Sequence, residues 1–195
     1  MIRIALVGEI GSGKTFISKL FGYPTFNADV VVSEIYNRDK KTFNKLKKRL
    51  PNFFFDFPVK KKELIKAILK NKENITIISS IIHPVVRKKL NIFLKKNKKE
   101  IIVILDIPLF LENKLNKKND SIIYIQAKQK NIKKKLNLRK NYNKEILKKL
   151  KDLQYSLKRK KTKSNYVIKN TFNKKSARKA VKNVLNKILS WKKLY

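Results

Sequence analysis

The chain holds four glycines in 195 residues. Three of them, Gly8, Gly11 and Gly13, fall within six residues, directly ahead of Lys14 and Thr15. The stretch Gly8-Glu9-Ile10-Gly11-Ser12-Gly13-Lys14-Thr15 satisfies the pattern G-x-x-x-x-G-K-[ST]. Before it runs Ile2 to Val7, a short apolar segment of the kind a fully buried parallel strand shows. After it, Phe16, Ile17, Leu20 and Phe21 recur at helical spacing from Ser12 to Phe21, and Gly22 with Pro24 ends the run. A strand, a glycine loop and a helix in that order turn successive backbone N–H groups inward, making an anion cup at a helix N-terminus. Lys14 then reaches the β- and γ-phosphates of a nucleoside triphosphate, and the Thr15 hydroxyl holds Mg²⁺. The bland alternative is a glycine-rich turn that binds nothing. The loop by itself does not separate kinases from GTPases or other ATPases.

The rest of the chain alternates in the same manner. Extended segments are expected at Pro24 to Asn27, Ile101 to Ile107, Ser121 to Ala127 and Asn165 to Asn170. Helices are expected at Ala28 to Tyr36, opened by Asn27 or Asp29, and at Lys40 to Leu50, Lys60 to Lys72, Gln129 to Lys140, Asn143 to Lys160 and Ser176 to Leu189. Pro108 to Leu115 carries the chain back across the sheet. The aromatic knot Asn52 to Phe57 is expected to be core. Strands alternating with helices imply a parallel α/β sheet.

Length suits one domain with a lid or small insertion. With no cysteine and one histidine, disulfides, thiolate metal sites and histidine-rich metal sites are excluded. Apolar runs such as Ile101 to Leu105 fall short of membrane-spanning length, and the first one leads into the glycine loop instead of a cleavage site, so a soluble, cytoplasmic protein is expected. A net charge of +38 invites a nucleic-acid reading. The lysines are spread over nearly every segment alongside asparagine and isoleucine, however, as an A/T-rich coding sequence would produce. No specific nucleic-acid partner is expected, although the charge raises on-rates for polyphosphates.

Among the carboxylates, Asp29 follows the second strand, where it can return near the γ-phosphate and take or position the proton of an incoming hydroxyl. Its alternative is a helix N-cap. Asp106, at the end of Ile101 to Asp106, is a metal-holding carboxylate or a polar strand end. His83 precedes Pro84, with Arg87 one turn on. A proline in a first helical turn is ordinary, which leaves a structural role open beside ligand contact.

Taken together, Gly8 to Thr15, Asn27-Ala28-Asp29, Ile81 to Leu90 (IIHPVVRKKL), Asp106 to Leu115 (DIPLFLENKL) and Asn165 to Asn170 resemble the dephospho-coenzyme A kinase family over nearly the whole chain. The resemblance implies ATP-dependent phosphorylation of the ribose 3′-hydroxyl of dephospho-coenzyme A, giving coenzyme A and ADP. It implies a three-layer phosphate-loop kinase fold around a five-stranded parallel sheet. The core would take in about residues 1–36, 99–138 and 164–195, a helical substrate-binding region about 37–98, and a helical lid about 139–163. ATP would be met by Gly8, Gly11, Ser12, Gly13, Lys14, Thr15 and Phe16, and by the lid arginine Arg139. Arg159, Lys160 and Lys161 offer a second basic lid contact, with Lys160 placed in the ATP set. Asp29, Lys14 and Arg139 form the catalytic group, and Asp29, His83, Pro84, Arg87 and Glu112 the substrate side. Two positions depart from the family pattern: Asn27 stands for the first carboxylate of D-A-D, and Glu9 for the second glycine of the loop. A monomer is expected. Another phosphate-loop nucleoside or nucleotide kinase, a nucleic-acid-binding NTPase and a decayed homologue are the competing readings.

Overall fold

The computed structural model describes residues 1–138 and 143–192. Within them the chain divides into two compact units, one of Met1–Asn27, Asn97–Tyr142 and Leu150–Tyr195, the other of Ala28–Lys96 and Asn143–Lys149.

The first unit is built on five parallel strands: β1 (Ile2–Gly8), β2 (Thr25–Asn27), β3 (Ile102–Asp106), β4 (Ser121–Gln126) and β5 (Tyr166–Lys169), in the order β2-β3-β1-β4-β5. Every residue of β1 is buried, which is why its sequence is apolar but for Arg3, whose guanidinium donates to Asp120 Oδ2 at 3.0 Å, rather than alternating. Ile2, Ile4 and Leu6 pack with Ile102, Ile104, Ile123 and Ile168 on one face. That face is covered by α1 (Lys14–Leu20) through Ile17, and by α9 (Lys174–Lys192) through Ala177, Val181, Val184 and Ile188. Residues between β3 and β4 cross β1 as expected, in turns instead of a helix, with Leu109 and Lys114 at positive φ.

Helix boundaries shift where local chemistry overrides periodicity. α1 starts at Lys14 rather than Ser12, because Gly13 sits at φ 90°, outside helical space, and closes the loop. The single helix expected over Asn143 to Lys160 is two, α7 (Lys144–Asp152) and α8 (Leu157–Thr162). Ser156 interrupts them: its side chain accepts from Arg159 N at 3.2 Å, an N-cap that starts a new helix. α6 (Gln129–Asn137) follows β4.

The second unit is helical: α2 (Ala28–Arg38), α3 (Lys40–Arg49), α4 (Lys61–Lys70), α5 (Lys72–Lys96) and the start of α7. α5 is its spine, touching α2, α3 and α4. It buries Asn74, Ile78, Ile82, Val86 and Leu90, one residue per turn. Pro84 lies inside this 25-residue helix and not in a first turn. The missing N–H deprives Ser80 of its i+4 donor, yet the apolar stripe on both sides holds the helix continuous. Lys149 of α7 donates to the carbonyls of Ile68 (3.1 Å) and Leu69 (2.7 Å) at the C-terminal end of α4, where a cation meets the negative end of the dipole. The aromatic knot divides: Phe54 is fully buried, whereas Phe55 is 56% and Phe57 37% exposed. Phe57 instead covers the Phe43 ring at 5.7 Å.

Candidate functional site

The glycine loop joins β1 to α1 in the first unit. A Cβ on Gly8 (φ 151°) would stand 2.6 Å from the carbonyl oxygen of its sheet neighbour Ile125, so the strand can end there only as glycine. At Gly13 a Cβ would run into the amide of Asn170, and φ 90° is strained for any L side chain. Asn170, 2% exposed, braces the loop by donating to Ser12 O at 2.9 Å while its own Oδ1 accepts from Phe172 N at 2.9 Å. Ser12 is 1% exposed and its hydroxyl has no hydrogen-bond partner among the described residues, a buried polar atom left over at the cup. Phe16, half-buried in α1, packs against the core.

Lys14 lies across the cup and donates to Gly8 O at 3.2 Å and Glu9 O at 2.9 Å. Thr15 and Asp106 meet: Thr15 Oγ1 donates to Asp106 Oδ2 at 2.6 Å. Asn27 Nδ2 donates to the same oxygen at 2.8 Å, and Asp106 is 4% exposed. Two hard oxygens, one of them anionic, are thus gathered beside the phosphate loop. That donor set fits Mg²⁺, which takes one or two protein oxygens and completes its shell with water and phosphate.

Glu9 is buried at the loop's edge. Its Oε2 accepts from Gln129 Nε2 at 2.5 Å, and its Oε1 from Lys151 Nζ at 2.7 Å. On the other side of the loop, Lys160, 2% exposed, pairs with Glu112 at 3.1 Å and lies 3.5 Å from Gly8 O. Glu112 Oε1 also accepts from Tyr155 N at 2.8 Å, and Arg159 stacks on the Tyr155 ring at 3.8 Å. Lys14, Glu112 and Lys160 line a common cavity of about 10 Å³. Residues assigned by sequence to the donor side and to the acceptor side here hold one another.

In the second unit Asp29 is exposed in the first turn of α2, where its charge favours the helix dipole. It is not an N-cap, because Ala28 already belongs to the helix. His83, Pro84 and Arg87 lie on α5. Burial first, then the Arg87 charge, holds the His83 imidazole below its ordinary 6.5. Pro84 and Arg87, with Lys88, Asn91, Ile92 and Lys95, line a broad groove of about 500 Å³ along that helix. Arg139 lies outside the described residues.

Asn170, Gln129, Lys151 and Tyr155 escaped the sequence reading. For Asn170 the one signal was its position just past the carboxyl end of the last strand, the end of the parallel sheet from which the loop also leaves β1. The other three are polar residues in polar segments, indistinguishable there from solvated surface.

A family model described as dephospho-CoA kinase matches residues 2–176. The dephospho-CoA kinase of Wolbachia pipientis wMel is 31% identical over 190 residues, covering 95% of this chain and 97% of its own. Two solved structures share the fold at 22% identity. A Thermus thermophilus protein superposes with a TM-score of 0.76, over 95% of this chain and 97% of its own. The dephospho-CoA kinase from Campylobacter jejuni does so with 0.62, over 95% and 96%. With the phosphate loop at its head and the match running through all five strands, the chain belongs to the dephospho-CoA kinase family, a family of ATP-using kinases.

Proposed function

We propose that this chain transfers the γ-phosphoryl group of ATP to the ribose 3′-hydroxyl of dephospho-coenzyme A. The 3′-oxygen bonds to phosphorus as the bond from phosphorus to the β–γ bridging oxygen breaks, and ADP and coenzyme A leave. The observation that carries this reading is the phosphate cup with Thr15 and Asp106 beside it, in a chain matched by the family over residues 2–176.

Backbone N–H groups of Gly11, Ser12 and Gly13 would cradle the phosphates, and Lys14 would exchange its two loop carbonyls for phosphate oxygens. Thr15 and Asp106 would hold Mg²⁺, which when bound draws the phosphate oxygens together and offsets their charge. Asp29 would accept the 3′-hydroxyl proton. His83, Pro84, Arg87 and Glu112 would meet the acceptor, and Lys160 the donor. Arg139 would stabilise the transferring group as the lid, about residues 139–163, excludes water. The region 37–98 would form the acceptor side. We place the enzyme in the cytoplasm as a monomer with no specific nucleic-acid partner. Among the described residues no helix is long and apolar enough to cross a membrane.

The test is an acceptor panel with ATP and Mg²⁺. ATP consumption should depend on dephospho-coenzyme A, and the product should carry its new phosphate on the 3′-position. Equal turnover of AMP, uridine or shikimate would refute the substrate.

A further inference from the structure

β2 and β3 run side by side with Asn27 opposite Asp106. Asn27 Nδ2 and Thr15 Oγ1 both donate to Asp106 Oδ2, at 2.8 and 2.6 Å. An ionised carboxylate at position 27 could not make that donation, and would set two like charges on neighbouring strand ends. The amide has nearly the same shape, supplies a donor, and leaves one formal negative charge at this end of the site.

The charge count matters for a dication. Mg²⁺ and Mn²⁺ are held by proteins through one or two carboxylates and by the phosphates of the substrate, and affinity follows the number of charged ligands. Here Asp106 already accepts two hydrogen bonds, the Lys14 cation lies beside the adjoining loop, and the chain as a whole carries +38. Among the described residues no group of three or more His, Cys, Asp or Glu side chains is placed to hold a metal. We infer that Asn27 is a positioning residue: it orients Asp106 and keeps a second carboxylate away from the Thr15–Asp106 end, so that the divalent cation enters together with the triphosphate and not ahead of it. This rests on the reading of Thr15 and Asp106 as the metal end.

Mn²⁺ is the probe, with the free ion counted by electron paramagnetic resonance, in the nucleotide-free protein and with a non-hydrolysable ATP analogue. Asn27→Asp should tighten Mn²⁺ binding by the nucleotide-free protein by about tenfold or more, since a second carboxylate joins the site. Asn27→Ala should loosen Mn²⁺ several-fold in the analogue complex, with urea denaturation midpoints separating these effects from loss of fold. Equal nucleotide-free affinities in the wild type and Asn27→Asp overturn the charge-count argument, and an unchanged analogue complex in Asn27→Ala overturns the orienting role. If Asp106→Asn leaves Mn²⁺ in the analogue complex unaffected, the metal reading itself has failed.

Discussion

Lys160 and Glu112 form an ion pair with side chains 3% and 9% exposed, so removing one partner strands a charge that water cannot reach. Breaking a buried pair from one side costs about 3–5 kcal/mol. Lys160→Met keeps the aliphatic stem and deletes the ammonium, and Glu112 retains the Tyr155 N–H at 2.8 Å, which places the cost near the lower end, about 3 kcal/mol. For a chain of this size each kcal/mol moves Tm by about 2–4 °C, so Lys160→Met should melt roughly 6–12 °C below the wild type. Lys160→Met with Glu112→Gln should regain most of that loss, because the neutral amide no longer needs a counter-charge and its oxygen still accepts from Tyr155 N. The assay is thermal unfolding of nucleotide-free protein for the four members of the cycle, alongside KM for ATP. A Lys160→Met protein that melts with the wild type and differs only in KM would refute the argument: Lys160 would then serve the nucleotide alone.

Asp29→Asn should abolish turnover while ATP affinity, followed by fluorescent-analogue displacement, stays within about twofold, since Asp29 is assigned to the hydroxyl and not to the phosphates. Gly13→Ala, forced to φ 90° against Asn170, should lose ATP binding and about 1–2 kcal/mol of stability in urea titrations. Lys151→Met should cost more stability than Glu9→Gln, about 1–3 against under about 1 kcal/mol, because Glu9 would be left buried whereas Lys151, 42% exposed, returns to water. The reverse order would contradict the burial of Glu9. The depressed His83 means that the unfolded chain binds the extra proton: stability should fall as pH drops through 6.5 and level off below the folded-state value, and His83→Gln should flatten that part of a denaturation series.

The phosphate loop and the buried strands β1, β3 and β4 were legible because each rests on a local rule: glycine where φ is positive, or isoleucine and valine where both faces of a strand are covered. Helix ends were less so, since they turn on single residues. Ser156 restarts a helix in a lysine-rich run whose hydrophobic pattern reads straight through it, and Pro84 reads as a helix opener although the packed stripe from Asn74 to Leu90 carries α5 past it. The partners of Glu9 and Glu112 were illegible for a different reason. Lys151 and Lys160 are two among many lysines with the same neighbours, and only the path of the chain selects which ones meet a carboxylate.

Glu9 shows where the constraint of the loop stops. Gly8, Gly11 and Gly13 hold φ of 151°, 85° and 90°, whereas Glu9 is absent from the positive-φ residues, so the backbone at position 9 does not call for glycine. A side chain there is conformationally free of cost, and what decides its tolerance is charge. A bare carboxylate at the edge of a cup built for phosphate would oppose the ligand, by about 1 kcal/mol even at close range in bulk water and by more where water is excluded. Its two oxygens, however, are engaged by Gln129 and Lys151, the second of which cancels its charge. The substitution is therefore supported by residues of α6 and α7 that a phosphate loop has no intrinsic need of. Removing Lys151 should accordingly weaken ATP binding through Glu9, and Glu9→Gln introduced beside it should restore the affinity. An affinity unmoved in Lys151→Met would mean that the carboxylate faces away from the phosphates.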